Sequence, residues 1–169
     1  MPFLGATGRR SLLTLHVLVS VGWFGAVAAF LVIALTGLLS ADGTTIAGMY
    51  AALDVLVWLL IVPLAGLTLI SGLAQAMAGP WGLLRHYWVV AKLILTVLAT
   101  VVLLLHTGAV GAAAAAARGG GTHFEALRAQ LVVDSAAALV VLALATVLSV
   151  VKPRGTTPWS SRTSTGDVT

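Results

Sequence analysis

Cysteine is absent from this chain of 169 residues, and charged residues make up only 8% of it. The first absence excludes disulfides, thiolate metal sites and cysteine nucleophiles. The second excludes an ordinary soluble domain, because a surface that faces water keeps about a quarter of its residues charged. With 60% hydrophobic residues and a mean hydropathy of +1.09, the sequence predicts an integral protein whose solvent is the lipid bilayer.

The sequence also lacks the familiar catalytic and nucleotide-binding motifs. It contains no His-Glu-x-x-His, no Gly-x-Ser-x-Gly and no phosphate-binding glycine loop, because no strand precedes the glycines at 119–121. An enzyme is therefore the less favoured interpretation. The net charge of +4 does not indicate a nucleic-acid partner, because the basic residues are scattered at the ends of apolar segments, as in membrane anchoring.

Four apolar segments run through the sequence at 12–39, 46–74, 88–110 and 131–151. Each is at least as long as the roughly 20 residues that a helix needs to cross the hydrocarbon core. Helices are the expected form, because backbone groups find no water in the membrane and nothing here alternates like a barrel strand. The first segment is longer than a signal-peptide core and is expected to be a retained span. The sequence therefore predicts an all-α, four-helix transmembrane bundle.

The connections support this division of the chain. Gly79-Pro80 is expected to end the second helix, and Pro63 to disturb it. The alanine-rich segment 111–118 favours helix and is stopped by glycines, while THFE at 122–125 has the spacing of a capping box. We therefore predict a short extracytoplasmic helical hairpin between helices three and four. The predicted organisation is a cytoplasmic N-terminus at 1–11, one transmembrane domain at 12–152 and a disordered cytoplasmic tail at 153–169.

The basic residues predict the orientation in the plasma membrane. Seven of the nine fall on one predicted side and two on the other, so the positive-inside rule places both termini in the cytoplasm. Lys92 is close enough to that side to act as an interfacial anchor. The larger group is Arg9, Arg10, Arg85, Lys92, Lys152, Arg154 and Arg162, and the smaller is Arg118 and Arg128.

Two groups of polar residues within the spans are candidate sites. His16 and His86 lie at similar predicted depths on the cytoplasmic side of different helices, as bis-histidine ligation of haem b in a bundle requires. Near the outer side, Asp54, His106 and Asp134 come from three different helices. Two carboxylates and an imidazole can hold a divalent metal or exchange protons, and aspartates within spans are functional candidates. Structural roles, as interfacial or hydrogen-bonded residues, remain open for both groups.

Three blocks of the sequence resemble the signature blocks of a group of small four-span actinobacterial membrane proteins without an assigned function. These blocks are HVLVSVGWFGAVAAF at 16–30, the segment 82–106 and the segment 130–155. The spacing of His16, Trp23 and Gly25 is also similar to the copper-resistance D-type membrane domain. The first resemblance implies a four-span fold and carries over no catalytic residues, because none are established for that group, and the second implies copper chemistry at His16 alone.

Three functions follow from these observations, and the sequence leaves all three open. The leading hypothesis is a non-enzymatic accessory or partner-binding subunit, whose small-residue face on the first helix serves packing within the chain, with a membrane-protein partner or with a second copy. The second is a b-type haem electron carrier ligated by His16 and His86. The third is a metal- or proton-handling protein that uses Asp54, His106 and Asp134.

Overall fold

The computed structural model describes residues 5–78, 87–119 and 124–151. These residues form helices and contain no strand, in the order α1 (Ala6–Leu39), α2 (Gly43–Leu56), a π-helical turn (Val57–Ile61), α3 (Val62–Ala78), α4 (Tyr87–Gly119) and α5 (Phe124–Val151). Since α2 and α3 run on through the π-helical turn, this part of the chain contains four helices long and apolar enough to cross a membrane. The predicted all-α bundle with four membrane-spanning helices is confirmed.

The π-helical turn lies directly before Pro63. Proline has no N–H to donate, and in a regular helix its ring would collide with the carbonyl of the residue four positions earlier, Leu59. The chain widens here instead, so that the N–H of Val62 donates to the carbonyl of Val57, five residues back. The disturbance that the sequence predicts at Pro63 is therefore a single wide turn within a continuous span.

The four spans form a ring in which neighbours in sequence are neighbours in space. α1 packs against α2, α3 and α5, and α4 packs against α2, α3 and α5. The bundle is antiparallel, because His16, early in α1, meets Ser71, late in α3, and Lys92, early in α4. We call this the His16 end of the bundle. At the opposite end, Tyr50, early in α2, lies against the ring of Phe124, at the start of α5.

The alanine-rich end of α4 belongs to the packed bundle. Ala113 and Ala114 are buried and share the core cluster with Tyr50 and Leu131. α4 ends at Gly119 and α5 begins at Phe124, one residue after the predicted start of the fourth helix. The predicted extracytoplasmic position of this hairpin, the cytoplasmic position of both termini and the division at 1–11 and 153–169 stay predictions.

Arg128, which the sequence places on the outer side of the membrane, also joins two helices of the bundle. Its side chain is buried, and its guanidinium donates to the carbonyls of Gly37, Leu38 and Ser40 at the C-terminal end of α1. It also donates to Glu125 at 2.6 Å. These hydrogen bonds hold the start of α5 against the end of α1. We call this region the Arg128 end of the bundle.

Candidate functional site

His106 of α4 and Asp134 of α5 meet across two helices. Nε2 of His106 lies 3.4 Å from Oδ2 of Asp134, and the side chains are 35% and 31% exposed. The two atoms do not have the geometry of a hydrogen bond, since Oδ2 is a buried atom that has no hydrogen-bond partner among the described residues. The contact is therefore electrostatic, and the carboxylate oxygen keeps free capacity to accept a hydrogen bond.

The second ring nitrogen of His106 indicates where the protons lie. Nδ1 is 2.7 Å from the carbonyl oxygen of Val102, and because a carbonyl can only accept, Nδ1 carries a hydrogen. A neutral ring then presents a lone pair at Nε2 to Asp134, which repels the carboxylate. The contact is attractive only when a further proton lies on Nε2 or on the carboxyl group. The structure therefore places two groups that can exchange protons beside each other.

Asp54, the third member of the predicted outer site, does not complete a three-residue metal site in the structure. It lies on α2 against α4, where a Cβ placed on Gly111 would be 3.8 Å from its Oδ1. Among the residues that the structure describes, no three histidine and acidic side chains converge as metal ligands. The structure brings two of the three predicted residues together, and a divalent metal at this site stays a prediction.

A cavity of about 320 Å³ lies beside the His106–Asp134 pair, between the spans. Its walls are largely aliphatic and aromatic side chains from every span. Its polar groups are few, and one of them, the indole N–H of Trp23, is buried without an acceptor in the described part of the chain. Lining residues include Trp23, Val27, Phe30, Val57, Ile61, Leu95, Ala99, His106, Leu131, Asp134, Ser135, Ala138 and Leu142.

His16 forms a directed hydrogen-bond chain at the other end of the bundle. The hydroxyl of Ser71 donates to the carbonyl of Leu67 at 2.6 Å, so its oxygen accepts from Nδ1 of His16 at 2.9 Å. Nε2 of His16 is left with a lone pair, which lies 3.4 Å from Nζ of Lys92. The ammonium therefore donates to the imidazole, and His16 is neutral with its hydrogen on Nδ1.

Lys92 makes a contact that its interpretation as an interfacial anchor does not include, and the anchor role stays a prediction. Its side chain is partly buried, and its ammonium lies against Nε2 of His16 on α1. Lys92 lies in the first two turns of α4, where both directions are open to a long side chain. The direction depends on which face of α4 meets α1, and a single segment of sequence does not contain that information.

The proposed haem ligands cannot be compared as a pair, because His86 lies outside the described residues. His123 and the Gly79-Pro80 turn also lie outside them. For His16, which is described, Nδ1 is hydrogen-bonded to Ser71 and Nε2 faces Lys92. Ligation of an iron by His16 would require Lys92 to move away. Haem binding by His16 and His86 stays a prediction.

Sequence reasoning missed the α3 residues that surround His16. Thr68, Ser71 and Gln75 follow one another at intervals of three and four residues, which places them on one face of a helix. The structure turns this face toward His16, and Gln75 donates to the carbonyl of Leu12 at 3.3 Å. A polar stripe at helical spacing within an apolar span was the signal that could have identified them.

These two polar sites lie in different parts of one helical bundle. Comparison with models of protein families, with curated proteins and with solved structures finds no match to this chain.

Proposed function

We propose that this small polytopic membrane protein is a non-enzymatic binding protein whose ligand is a lipid-soluble molecule. The observation that carries the proposal is the apolar cavity of about 320 Å³ beside His106 and Asp134. Ligand sites in proteins are concave, mostly apolar and fitted with a few polar groups that orient the ligand. This cavity has that composition.

The size and polarity of the cavity define the class of ligand. An engineered cavity of about 150 Å³ accepts benzene, so a cavity of about 320 Å³ has room for a two-ring or branched apolar body. The buried indole N–H of Trp23 has no acceptor, and Oδ2 of Asp134 has no donor, among the described residues. A ligand with a single hydroxyl or carbonyl group satisfies one of these atoms and leaves its apolar body against the aliphatic walls.

Binding of 1-naphthol, a two-ring molecule with one hydroxyl, tests the proposal. The full chain is reconstituted in phosphatidylcholine nanodiscs, and bound ligand is measured by equilibrium dialysis against empty nanodiscs. We expect saturable binding to the wild type. In Ala138→Phe we expect the affinity to fall by at least about tenfold, because the phenyl ring occupies space that the ligand needs.

Ala143→Phe provides the matched control. Ala143 lies on the same helix but is exposed on the outside of the bundle and does not line the cavity. The same substitution there adds the same apolar surface, so binding should stay at the wild-type level. Equal binding to both variants, or no saturable excess over empty nanodiscs, would refute the proposal.

Proton exchange through His106 and Asp134 is a second candidate function. It is favoured by the contact between His106 and Asp134, which places an imidazole and a carboxyl group, two groups able to exchange protons, 3.4 Å apart. Asp134→Asn removes that site, whereas Asp54→Asn removes a carboxylate from a different neighbourhood, beside Gly111. Proton flux into proteoliposomes that is lost in the first variant and kept in the second would support this function.

The partner-binding hypothesis and the resemblances to known families also stay proposals. The small-residue face of α1 is partly used within the chain, because Gly22 packs against Leu64 and Ala26 is buried. The exposed apolar side chains of the four spanning helices imply contact with the lipid bilayer. Co-purification of a stoichiometric membrane protein would support an accessory role in addition to ligand binding.

A further inference from the structure

We propose that a second cavity, at the His16 end of the bundle, is a binding site for a small monovalent anion. This cavity has a volume of about 140 Å³ and lies between α1, α3 and α4. Among the described residues, its polar lining consists of His16, Thr68, Gln75, Lys92 and Thr96, without a carboxylate. None of the described lining residues also lines the larger cavity beside His106 and Asp134, so the proposal stands apart from the proposed function.

The first argument is a positive charge that has no negative partner among the described residues. Within them, the contacts between basic and acidic side chains are His106–Asp134 and Arg128–Glu125, and Lys92 takes part in neither. One hydrogen of its ammonium is directed to Nε2 of His16, which leaves two further donors. A charge in a membrane-spanning helix is costly unless an opposite charge or polar ligand accompanies it. An anion in the cavity supplies that charge.

The second argument is a buried hydroxyl that also lacks a partner. Thr68 is 6% exposed and lines the cavity, yet its Oγ1 forms no hydrogen bond to another described residue. Such groups are rare because each one costs the free energy of a lost hydrogen bond. A hydroxyl can donate to an anion, so one occupant satisfies both Thr68 and Lys92.

The size of the cavity restricts the anion. A volume of about 140 Å³ corresponds to a few water molecules at about 30 Å³ each, which fits chloride or nitrate with a partial hydration shell. Gly72 contributes to this space, since a Cβ at that position would approach Cε1 of His16 to 3.1 Å. A single ammonium balances one negative charge, and a divalent anion would keep an uncompensated charge within the membrane.

Chloride binding to the full chain in a maltoside detergent tests the proposal. The line width of the chlorine NMR resonance reports chloride in exchange with the protein, and titration with nitrate measures its displacement. We expect broadening with the wild type that nitrate reverses. Lys92→Met should abolish the broadening, and Thr68→Val, which removes only the hydroxyl, should weaken binding by about threefold to tenfold.

Arg118→Met is the charge-matched control. It also removes one positive charge from α4, but Arg118 is exposed and does not line the cavity, so broadening should persist. Absence of broadening in the wild type, or equal broadening in the wild type and Lys92→Met, would overturn the proposal. The result for Thr68→Val provides the test if Lys92→Met does not fold, and unchanged affinity in that variant would also overturn it.

A free anion and the phosphodiester group of an anionic lipid share this chemistry. Addition of phosphatidylglycerol to the detergent sample distinguishes them. If the lipid displaces chloride, the occupant in the membrane is a lipid headgroup, and if chloride stays bound, the occupant is a free anion. Both results support an anion site at Lys92 and Thr68.

Discussion

The guanidinium of Arg128 on α5 closes the C-terminal end of α1 by donating to the carbonyl of Gly37, 91 residues earlier in the chain. The last carbonyls of a helix have no partner within the helix, and the final turn of α1 contains no basic residue. Arg128 therefore supplies from another span both the missing donor and the positive charge that the helix dipole favours at this end.

Arg128→Met should destabilise the bundle strongly. The substitution keeps the apolar stem but leaves the carbonyls of Gly37 and Leu38 without their donor, and hydrogen bonds to charged groups contribute about 1.5–3 kcal/mol. We expect the free energy of unfolding in detergent to fall by about 2–3 kcal/mol. In the exposed control Arg118→Met it should change by less than about 0.5 kcal/mol. Equal effects would show that the contacts of Arg128 are not stabilising.

Gly37→Ala should destabilise the same region through steric conflict. A Cβ on Gly37 would lie 2.8 Å from Cε2 of Tyr50, which is fully buried. The ring cannot move without disturbing its neighbours, so we expect a loss of about 1–3 kcal/mol in the free energy of unfolding.

Gly25→Ala on the same helix gives the opposite expectation. A Cβ there meets no atom within 4 Å, so the helix gains about 0.5–1 kcal/mol from the lower backbone entropy of alanine. Thermal unfolding of both variants, followed by circular dichroism, measures the difference. A stabilised Gly37→Ala variant would contradict the close approach of α1 and α2.

Ser71→Ala should cost more stability than a chemically identical change elsewhere. Ser71 and Ser149 each donate to the carbonyl four residues earlier, but only Ser71 also accepts from His16. Its removal leaves the Nδ1 hydrogen of His16 buried without an acceptor, which costs about 1–3 kcal/mol. Ser149→Ala should be nearly neutral. Similar unfolding curves for the two variants would rule out the hydrogen-bond chain through His16.

Asp42 should make stability dependent on pH at the start of α2. Hydrogen bonds from the hydroxyls of Thr44 and Thr45 and from the N–H of Thr45 hold the pKa of its carboxyl well below its usual range. Because these bonds belong to the folded state, their contribution is complete above the unfolded pKa of about 3.9. It is lost as the pH falls through the lower, folded pKa.

Melting temperatures of the wild type and Asp42→Asn at about pH 7 and about pH 3 measure this contribution. The wild type should lose more stability on acidification than the variant, since asparagine can still cap the helix but does not titrate. An equal loss in both proteins would assign the pH dependence to other carboxyl groups.

The spans were predictable from the sequence because each depends on local properties. Length, apolar composition and helix-ending residues predicted four helices, the disturbance at Pro63 and the start of α5 to within one residue. These features follow from the bilayer thickness and from backbone chemistry, and neither requires knowledge of the neighbouring helices.

The contacts within the sites were harder to predict because they depend on the rotation of one helix against another. The contact of His106 with Asp134 was predicted because both residues lie at a similar predicted depth along their spans. Asp54 has a similar predicted depth too, so depth alone could not show that it lies apart from that pair. The contact of Lys92 with His16 was missed, because a lysine near a helix end has the same local sequence whether or not it reaches a neighbouring helix. The polar stripe on α3 would have indicated a polar neighbour for His16.

The π-helical turn sets the angular phase between the two halves of the second span. Buried residues follow one another at intervals of four through Leu53, Val57, Ile61 and Ala65. On a regular α-helix, residues four apart differ in direction by about 40° around the helix axis, so this row would turn away from the core. The extra residue in the wide turn compensates for this rotation and keeps the row buried. If it reverted to regular α geometry, α3 would rotate relative to α2 by up to about 100°, one residue's turn, and Ser71 would leave His16. A proline in the middle of a span thus controls, at a distance, the geometry of a polar site on another part of the bundle.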